Sequence, residues 1–263
     1  MTLTVGSLFA GIGGFDLAAR WMGWRTIWVS EIDPYCNRIL AREWPDAPNL
    51  GDITKIDWST VARPDLLCGG FPCQPHSVAG KRKAGADSRD LWGECARAVR
   101  ELRPDYAVFE NVPGLLTSEG GRFFNRVLSD LAALGYDAEW QVLSAADVGA
   151  PHRRERVWIM AYPIGQRGCG GHHPWTDAAD ADPSGEGIAT GVDRRWWATE
   201  PNVGRVANGI PHRVDRLRAL GNSIVPACAY RIFQQLAEAG GCVNVTQTSP
   251  GTPYMAKPGI CQI

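Results

Sequence analysis

The chain has 263 residues, with 27 Lys and Arg against 28 Asp and Glu, a net charge of −1 and a pI near 6.5. That balance excludes a protein that holds polyanions by overall charge, so any nucleic acid must be met by a local basic patch. Its length allows one full core plus a small appendage. The 8 cysteines, at 36, 68, 73, 95, 169, 228, 242 and 261, form no CxxC pair and no regular framework, which points to a reducing cytosol rather than a disulfide scaffold. The apolar stretch 3–9 lacks a basic leader and no apolar run approaches a membrane span, so a soluble cytoplasmic protein with no membrane partner is expected.

In chain order, residues 4–9 read as a buried strand, 11–14 as a turn, 15–21 as a helix and 26–30 as a second strand that ends at Glu31. Strand patterns recur at 65–68, 106–109, 139–143 and 156–161, with helical patterns at 90–102 and 122–134. In the second helix Phe124, Val127, Leu128, Leu131 and Leu134 share one face. This alternation predicts an α/β fold, a doubly wound and mostly parallel sheet, over residues 1–163. Residues 164–211 lose all period in a run of Gly, Pro, Asp and His and read as a small irregular insert. A closing segment, 212–240, returns to the main domain with a helix after Pro226 in which Ala229, Ile232, Phe233 and Leu236 share a face; the tail, 241–263, carries no periodicity and is expected to be disordered or loosely docked.

The run Phe9-Ala10-Gly11-Ile12-Gly13-Gly14 joins a strand to a helix, where glycines let backbone approach a ligand. It is not the dinucleotide fingerprint, because Asp16 stands where a third glycine is required. Glu31, at the tip of the next strand, is placed to accept ribose hydroxyls, while Asp52 and Ile53 suit an adenine amino group and its ring face. Together they suit an adenosyl ligand without phosphates, such as S-adenosylmethionine. The plainer alternative is a tight turn beside a solvated acid.

Cys73 follows a strand pattern in Gly69-Gly70-Phe71-Pro72-Cys73-Gln74, and Glu110-Asn111-Val112 ends another. In a parallel sheet both strand ends reach one rim, so a thiol and a carboxyl group there can grip one flat heterocycle from face and edge. Full conversion of the thiol to thiolate supplies about 2 kcal/mol, so thiol tuning alone is insufficient. A carboxylic acid on a ring nitrogen must stabilise the adduct's charge. Keeping Glu110 protonated at neutral pH costs about 3.7 kcal/mol in water, which predicts a dry, closed pocket.

These residues resemble the cytosine-5 DNA methyltransferases. Residues 9–14 look like that family's cofactor motif, Pro72-Cys73-Gln74 its nucleophile motif, Glu110-Asn111-Val112 its acid motif, Arg154-Glu155-Arg156 its arginine motif and Gly221-Asn222-Ser223-Ile224-Val225-Pro226 its closing motif, in family order. The resemblance implies a sheet of the S-adenosylmethionine-dependent methyltransferase type. It implies that Cys73 adds to C6 of a cytosine flipped out of duplex DNA, that Glu110 holds N3 and that Arg154 contacts the base oxygen or the adduct, with Arg156 beside them. By the same resemblance Phe9, Gly11, Gly13, Gly14, Glu31, Asp52, Ile53, Pro72, Asn222 and Ser223 surround the cofactor, and Gln74 and Ser77 approach the DNA.

Lys81, Arg82, Lys83 and Arg89 lie just past the nucleophile and read either as a solvated loop or, as the family likeness favours, as a loop that closes over the base and grips phosphate. The stretch 150–220 carries 10 arginines against 8 acidic residues, so any patch there must arise from geometry. Within the insert, Arg194-Arg195-Trp196-Trp197 suits either backbone contact with DNA or packing of the insert on the main domain. Cys169, His172 and His173 lack a fourth ligand at a sensible spacing, so no metal is expected. Two positions depart from the family: His76 stands where an aromatic residue is common, and His152 where a glutamine is.

A tRNA cytosine methyltransferase would use the same pocket, a silent DNA-binding relative would keep the fold without the chemistry, and a nicotinamide oxidoreductase is disfavoured by Asp16. A monomer is expected; a role beside a restriction enzyme, in phage self-protection or as an orphan enzyme is left open. The short insert offers few side chains to a groove and predicts a relaxed target of about two to four base pairs. Methylome sequencing of an expressing bacterial host checks this, and a long, strict site refutes it.

Overall fold

A computed structural model describes residues 2–72, 90–165 and 212–239. It contains β1 (Thr4–Leu8), α1 (Gly14–Trp21), β2 (Arg25–Ser30), α2 (Pro34–Glu43), β3 (Leu66–Gly70), α3 (Trp92–Leu102), β4 (Tyr106–Asn111), α4 (Arg122–Ala133), β5 (Tyr136–Leu143), β6 (Arg156–Pro163), α5 (Arg213–Asn222) and α6 (Pro226–Ala239). The six strands form one sheet in the order β2-β1-β3-β4-β6-β5. The first four are parallel, and β6 runs antiparallel to both of its neighbours.

Successive side chains of the central strands enter opposite layers. Leu67, Phe109 and Ile159 join one buried cluster, whereas Leu66, Val108, Trp158 and Met160 join another. The first is covered by α3 and α4 through Trp92, Val99, Val127 and Leu131; the second by α1 and α6 through Phe15, Ala18, Ile232 and Phe233. Burial on both faces explains why these strands read as continuous apolar runs without alternation. The sheet is doubly wound and mostly parallel, as the alternation of elements predicts.

Differences lie at the ends and in two helices. β3 continues through Gly69 and Gly70, and β5 begins at Tyr136, earlier than its apolar pattern suggests. β5 is an edge strand with Trp140 and Val142 exposed, so burial leaves it a weak signature. Neither α2 nor α5 is expected from apolar periodicity. α2 is set instead by its cap: the Asp33 carboxylate accepts the amides of Tyr35 and Cys36, and Pro34 occupies the first turn. α5 exposes Val214, Leu217 and Leu220, so no core-facing stripe announces it.

The turn between β1 and α1 shows what its glycines are for. Gly13 has φ 85°, and a Cβ there would lie 2.3 Å from the Trp44 ring; one on Gly14 would lie 2.6 Å from Cγ1 of Ile224. The chain after α5 therefore seats directly on this turn.

Arg97 of α3 braces the segment between α2 and β3. Its guanidinium donates to the carbonyls of Ile53, at 2.7 Å, and Ile56, at 3.0 Å, and bonds Glu94 at 2.7 Å. Arg97→Met leaves both carbonyls unpaired and is expected to cost about 2 kcal/mol, a Tm drop of roughly 4–8 °C in thermal unfolding. An unchanged Tm would show that the brace carries no stability.

Candidate active site

Three strands, β1, β3 and β4, end at the same rim because they run parallel. β6 runs the opposite way, so its first residue, Arg156, arrives at the rim where Glu110 ends β4; Asn111 pairs with Val157, next to it. The Arg156 Nε lies 2.8 Å from Oε1 of Glu110. Burial pushes the Glu110 carboxyl up to about 7 against the opposing pull of Arg156 and Arg154. Proton and anion forms are thus near balance at neutral pH, and the cost of holding the proton there is borne by the stability of the fold.

Asn111 is buried beside Glu110 and donates to the Phe71 carbonyl at 3.0 Å, while its own oxygen accepts the Val112 amide. This ties the end of β4 to the backbone just before Pro72. Pro72 lines the same cleft as Glu110 and is followed in sequence by Cys73.

That cleft has a volume of about 600 Å³ and runs from Glu110, Arg156, Phe71 and Pro72 to Phe9, Gly11, Glu31, Asp52 and Ile53. At the far end the Glu31 carboxylate is held by backbone: Gly11 donates to Oε2 at 2.8 Å, and Ile32 and Asp33 donate to Oε1 at 2.8 and 2.7 Å. A carboxylate has about four acceptor directions, so Oε2 keeps capacity for a hydroxyl. Asp52 caps the short turn Ile53–Lys55, its Oδ1 accepting from the Thr54 amide and hydroxyl. The Thr54 hydroxyl and amide hold the Asp52 carboxyl below the ordinary range.

Ile32, 70% exposed, and Ile53, buried in the wall, both line this end and offer apolar surface to a flat ring. Asp33 is paired with Arg218 and Asp52 with Lys55, so the Glu31 carboxylate, held by backbone amides, sets the preference of this end and favours hydroxyl donors over phosphates. This chemistry fits an adenosyl sulfonium.

The thiols of the described residues are poor nucleophiles. Burial, then Glu31 and Asp33, pushes Cys36 in the cleft wall up to about 12, and burial likewise pushes Cys228 up to about 12. Burial also raises Cys68 and Cys95 well above the ordinary thiol.

A family model for the C-5 cytosine-specific DNA methylases matches residues 3–173. The chain belongs to this family. It is 36% identical over 156 residues to the Type II methyltransferase M.HhaI of Haemophilus parahaemolyticus, covering 59% of this chain and 47% of the relative. M1.ScrFI of Lactococcus lactis subsp. cremoris is 40% identical over 157 residues, covering 59% of this chain and 40% of the relative. The chain thus spans less than half the length of these relatives. A methyltransferase of Entamoeba histolytica shares the fold, with a TM-score of 0.58 at 14% identity over 90% of this chain and 98% of that one.

Within this methylase fold, most of the anticipated residues that lie among the described ones converge. Glu110, Arg156, Phe9, Gly11, Glu31, Asp52, Ile53, Pro72 and Asn222 all line the cleft. Gly13 and Gly14 do not line it; they pack closely on Trp44 and Ile224. Arg154, expected at the base, has φ 37° and donates to the carbonyls of Gly221, at 2.7 Å, and Ser223, at 2.6 Å. It anchors the closing segment, and Arg156 is the arginine that faces Glu110.

Cys73, Gln74, Ser77, Lys81, Arg82, Lys83, Arg89, Arg194 and Arg195 lie outside the described residues, as do Cys169, His172, His173 and the tail. Among the described residues no cluster of ligands for a metal occurs, and no helix is long and apolar enough to cross a membrane. Ile32, Asp33 and Arg218 escaped the sequence reading. The Asp33-Pro34 capping pair was a usable signal for the second of these; Arg218 had none.

A raised carboxyl destabilises the fold as it ionises. Glu110 contributes its full share below about pH 4.5 and loses it as pH climbs to about 7. Chemical denaturation of wild type and Glu110→Gln should show the difference shifting toward the variant by about 3 kcal/mol between those pH values. A pH-independent difference would mean that Glu110 is not desolvated.

Proposed function

We propose that this chain methylates C5 of cytosine in duplex DNA, with S-adenosylmethionine as donor. The observation that carries the reading is one continuous cleft with a buried, near-neutral carboxyl held by Arg156 at one end and, at the other, the backbone-held Glu31 carboxylate with acceptor capacity for hydroxyls. Family membership supports the same reaction class.

Glu31 would take the ribose hydroxyls, Asp52 the adenine amino group, and Ile32 and Ile53 the ring faces, with Gly11 and Asn222 along the remaining wall. When bound, S-adenosylmethionine supplies an electrophilic methyl group. The protein's task is to make C5 of cytosine nucleophilic. Extruding the base from the duplex costs a few kcal/mol and exposes both faces of the ring.

Cys73 as thiolate adds to C6, and the displaced π electrons move toward N3, where the Glu110 proton meets the developing charge. Arg156 fixes the carboxyl's direction throughout. The saturated C6 leaves an enamine whose electron density lies on C5. Once C5 carries the methyl group, water takes its proton, the freed electron pair forms the C5–C6 double bond, the sulfur–C6 bond breaks to release Cys73 as thiolate, and N3 returns its proton to Glu110.

Nucleoside mass spectrometry with duplex DNA and with tRNA tests the reading. Wild type should form 5-methylcytosine in duplex DNA alone, Cys73→Ala should form none, and Glu110→Gln should lose about two to three orders of magnitude in kcat. A duplex containing 5-fluorocytosine should trap a covalent complex with wild type and not with Cys73→Ala. Product in tRNA alone, or a trap that survives Cys73→Ala, would sink the proposal.

A further inference from the structure

Resting on the cofactor reading above, we propose that Arg218 is a positioning residue for the nucleoside site, acting through Asp33 on the loop that holds Glu31. The chain of contacts is continuous. Arg218, on α5, forms an ion pair with Oδ2 of Asp33, 185 residues away in sequence. The other oxygen of Asp33 caps α2 by accepting the amides of Tyr35, at 2.8 Å, and Cys36, at 3.2 Å. The Asp33 amide in turn donates to Oε1 of Glu31 at 2.7 Å.

One guanidinium therefore pulls on the residue that sets both the start of α2 and the orientation of the carboxylate expected to hold the ribose. Burial alone would raise the Asp33 carboxyl, but the Cys36 and Tyr35 amides and Arg218 hold it below the ordinary range, so the pair is ionic at neutral pH. Asp33 is 20% exposed in its side chain and Arg218 65%, and both line the cleft.

The same helix is held at its C-terminal end, where Arg154 grips the carbonyls of Gly221 and Ser223. α5 thus lines the cleft with two arginine ties, one from its middle to Asp33 and one at its C-terminal end from Arg154. The bond to Asp33 makes occupancy of the nucleoside site sensitive to a residue that need not touch the ligand.

The test uses the full chain and S-adenosylhomocysteine as probe, with calorimetric Kd and stopped-flow dissociation for wild type, Arg218→Ala, Arg218→Lys, Asp33→Asn and the double variant Arg218→Ala/Asp33→Asn. Asn keeps an oxygen for the α2 cap while removing the charge. Each of Arg218→Ala and Asp33→Asn should weaken binding about three- to fivefold, the range of a partly exposed ion pair, and mainly through faster dissociation. The double variant should be no weaker than either single, Arg218→Lys should recover most of the loss, and cofactor KM should rise more than kcat falls. Added salt should weaken wild type more than Arg218→Ala.

Equal affinity of Arg218→Ala and wild type, additive losses in the double variant, or no recovery with Lys overturns the inference while the cofactor reading stands. Failure of wild type to bind the probe overturns the cofactor reading and this inference with it.

Discussion

The site is organised around a carboxyl group that the fold both buries and restrains. Glu110 has its two oxygens between the Gly70 backbone and the Arg156 guanidinium, and burial outweighs the cation's pull. A fully paired Glu110 in water would be an anion that offers no proton. A buried one without Arg156 would be held neutral but free to rotate. The combination leaves a proton available near pH 7 in a fixed direction, which is what a ring nitrogen of a pyrimidine requires.

That combination depends on strand direction. Were β6 parallel to β4, its first residue would lie at the opposite rim and Arg156 would be remote from Glu110. Antiparallel β6 is also the strand on which Trp158 and Met160 close one apolar layer and Ile159 the other. The arginine is therefore delivered by the same element that completes the core, and the position of its charge is inherited from packing of apolar side chains.

The cleft is closed by a segment remote in sequence. Ile224 lies on Gly14, Arg154 holds two carbonyls beside it, and Arg218 reaches Asp33. The contacts at Gly14 and Asp33 join the last described elements to the first βαβ unit, and that of Arg154 ties them to the segment before β6. Removal of the side chain at Gly14 is what allows the approach, since any Cβ would strike Ile224.

Local signals made much of this legible. Continuous apolar runs marked strands buried on both faces, the spacing of Phe124, Val127 and Leu131 marked α4, and the glycines at 11, 13 and 14 marked a tight turn that lines the cleft at Gly11 beside Glu31. α2 lay hidden because its first-turn cap, rather than a stripe, defines it. α5 lay hidden because Val214, Leu217 and Leu220 face solvent. The amino-acid order by itself determined which groups the rim contains, because residue type and strand periodicity are local properties. Only the tertiary structure decided that Arg156 meets Glu110 while Arg154 serves the closing segment, and that Arg218 meets Asp33, because ion pairing and desolvation depend on strand direction and distance, which no local pattern encodes.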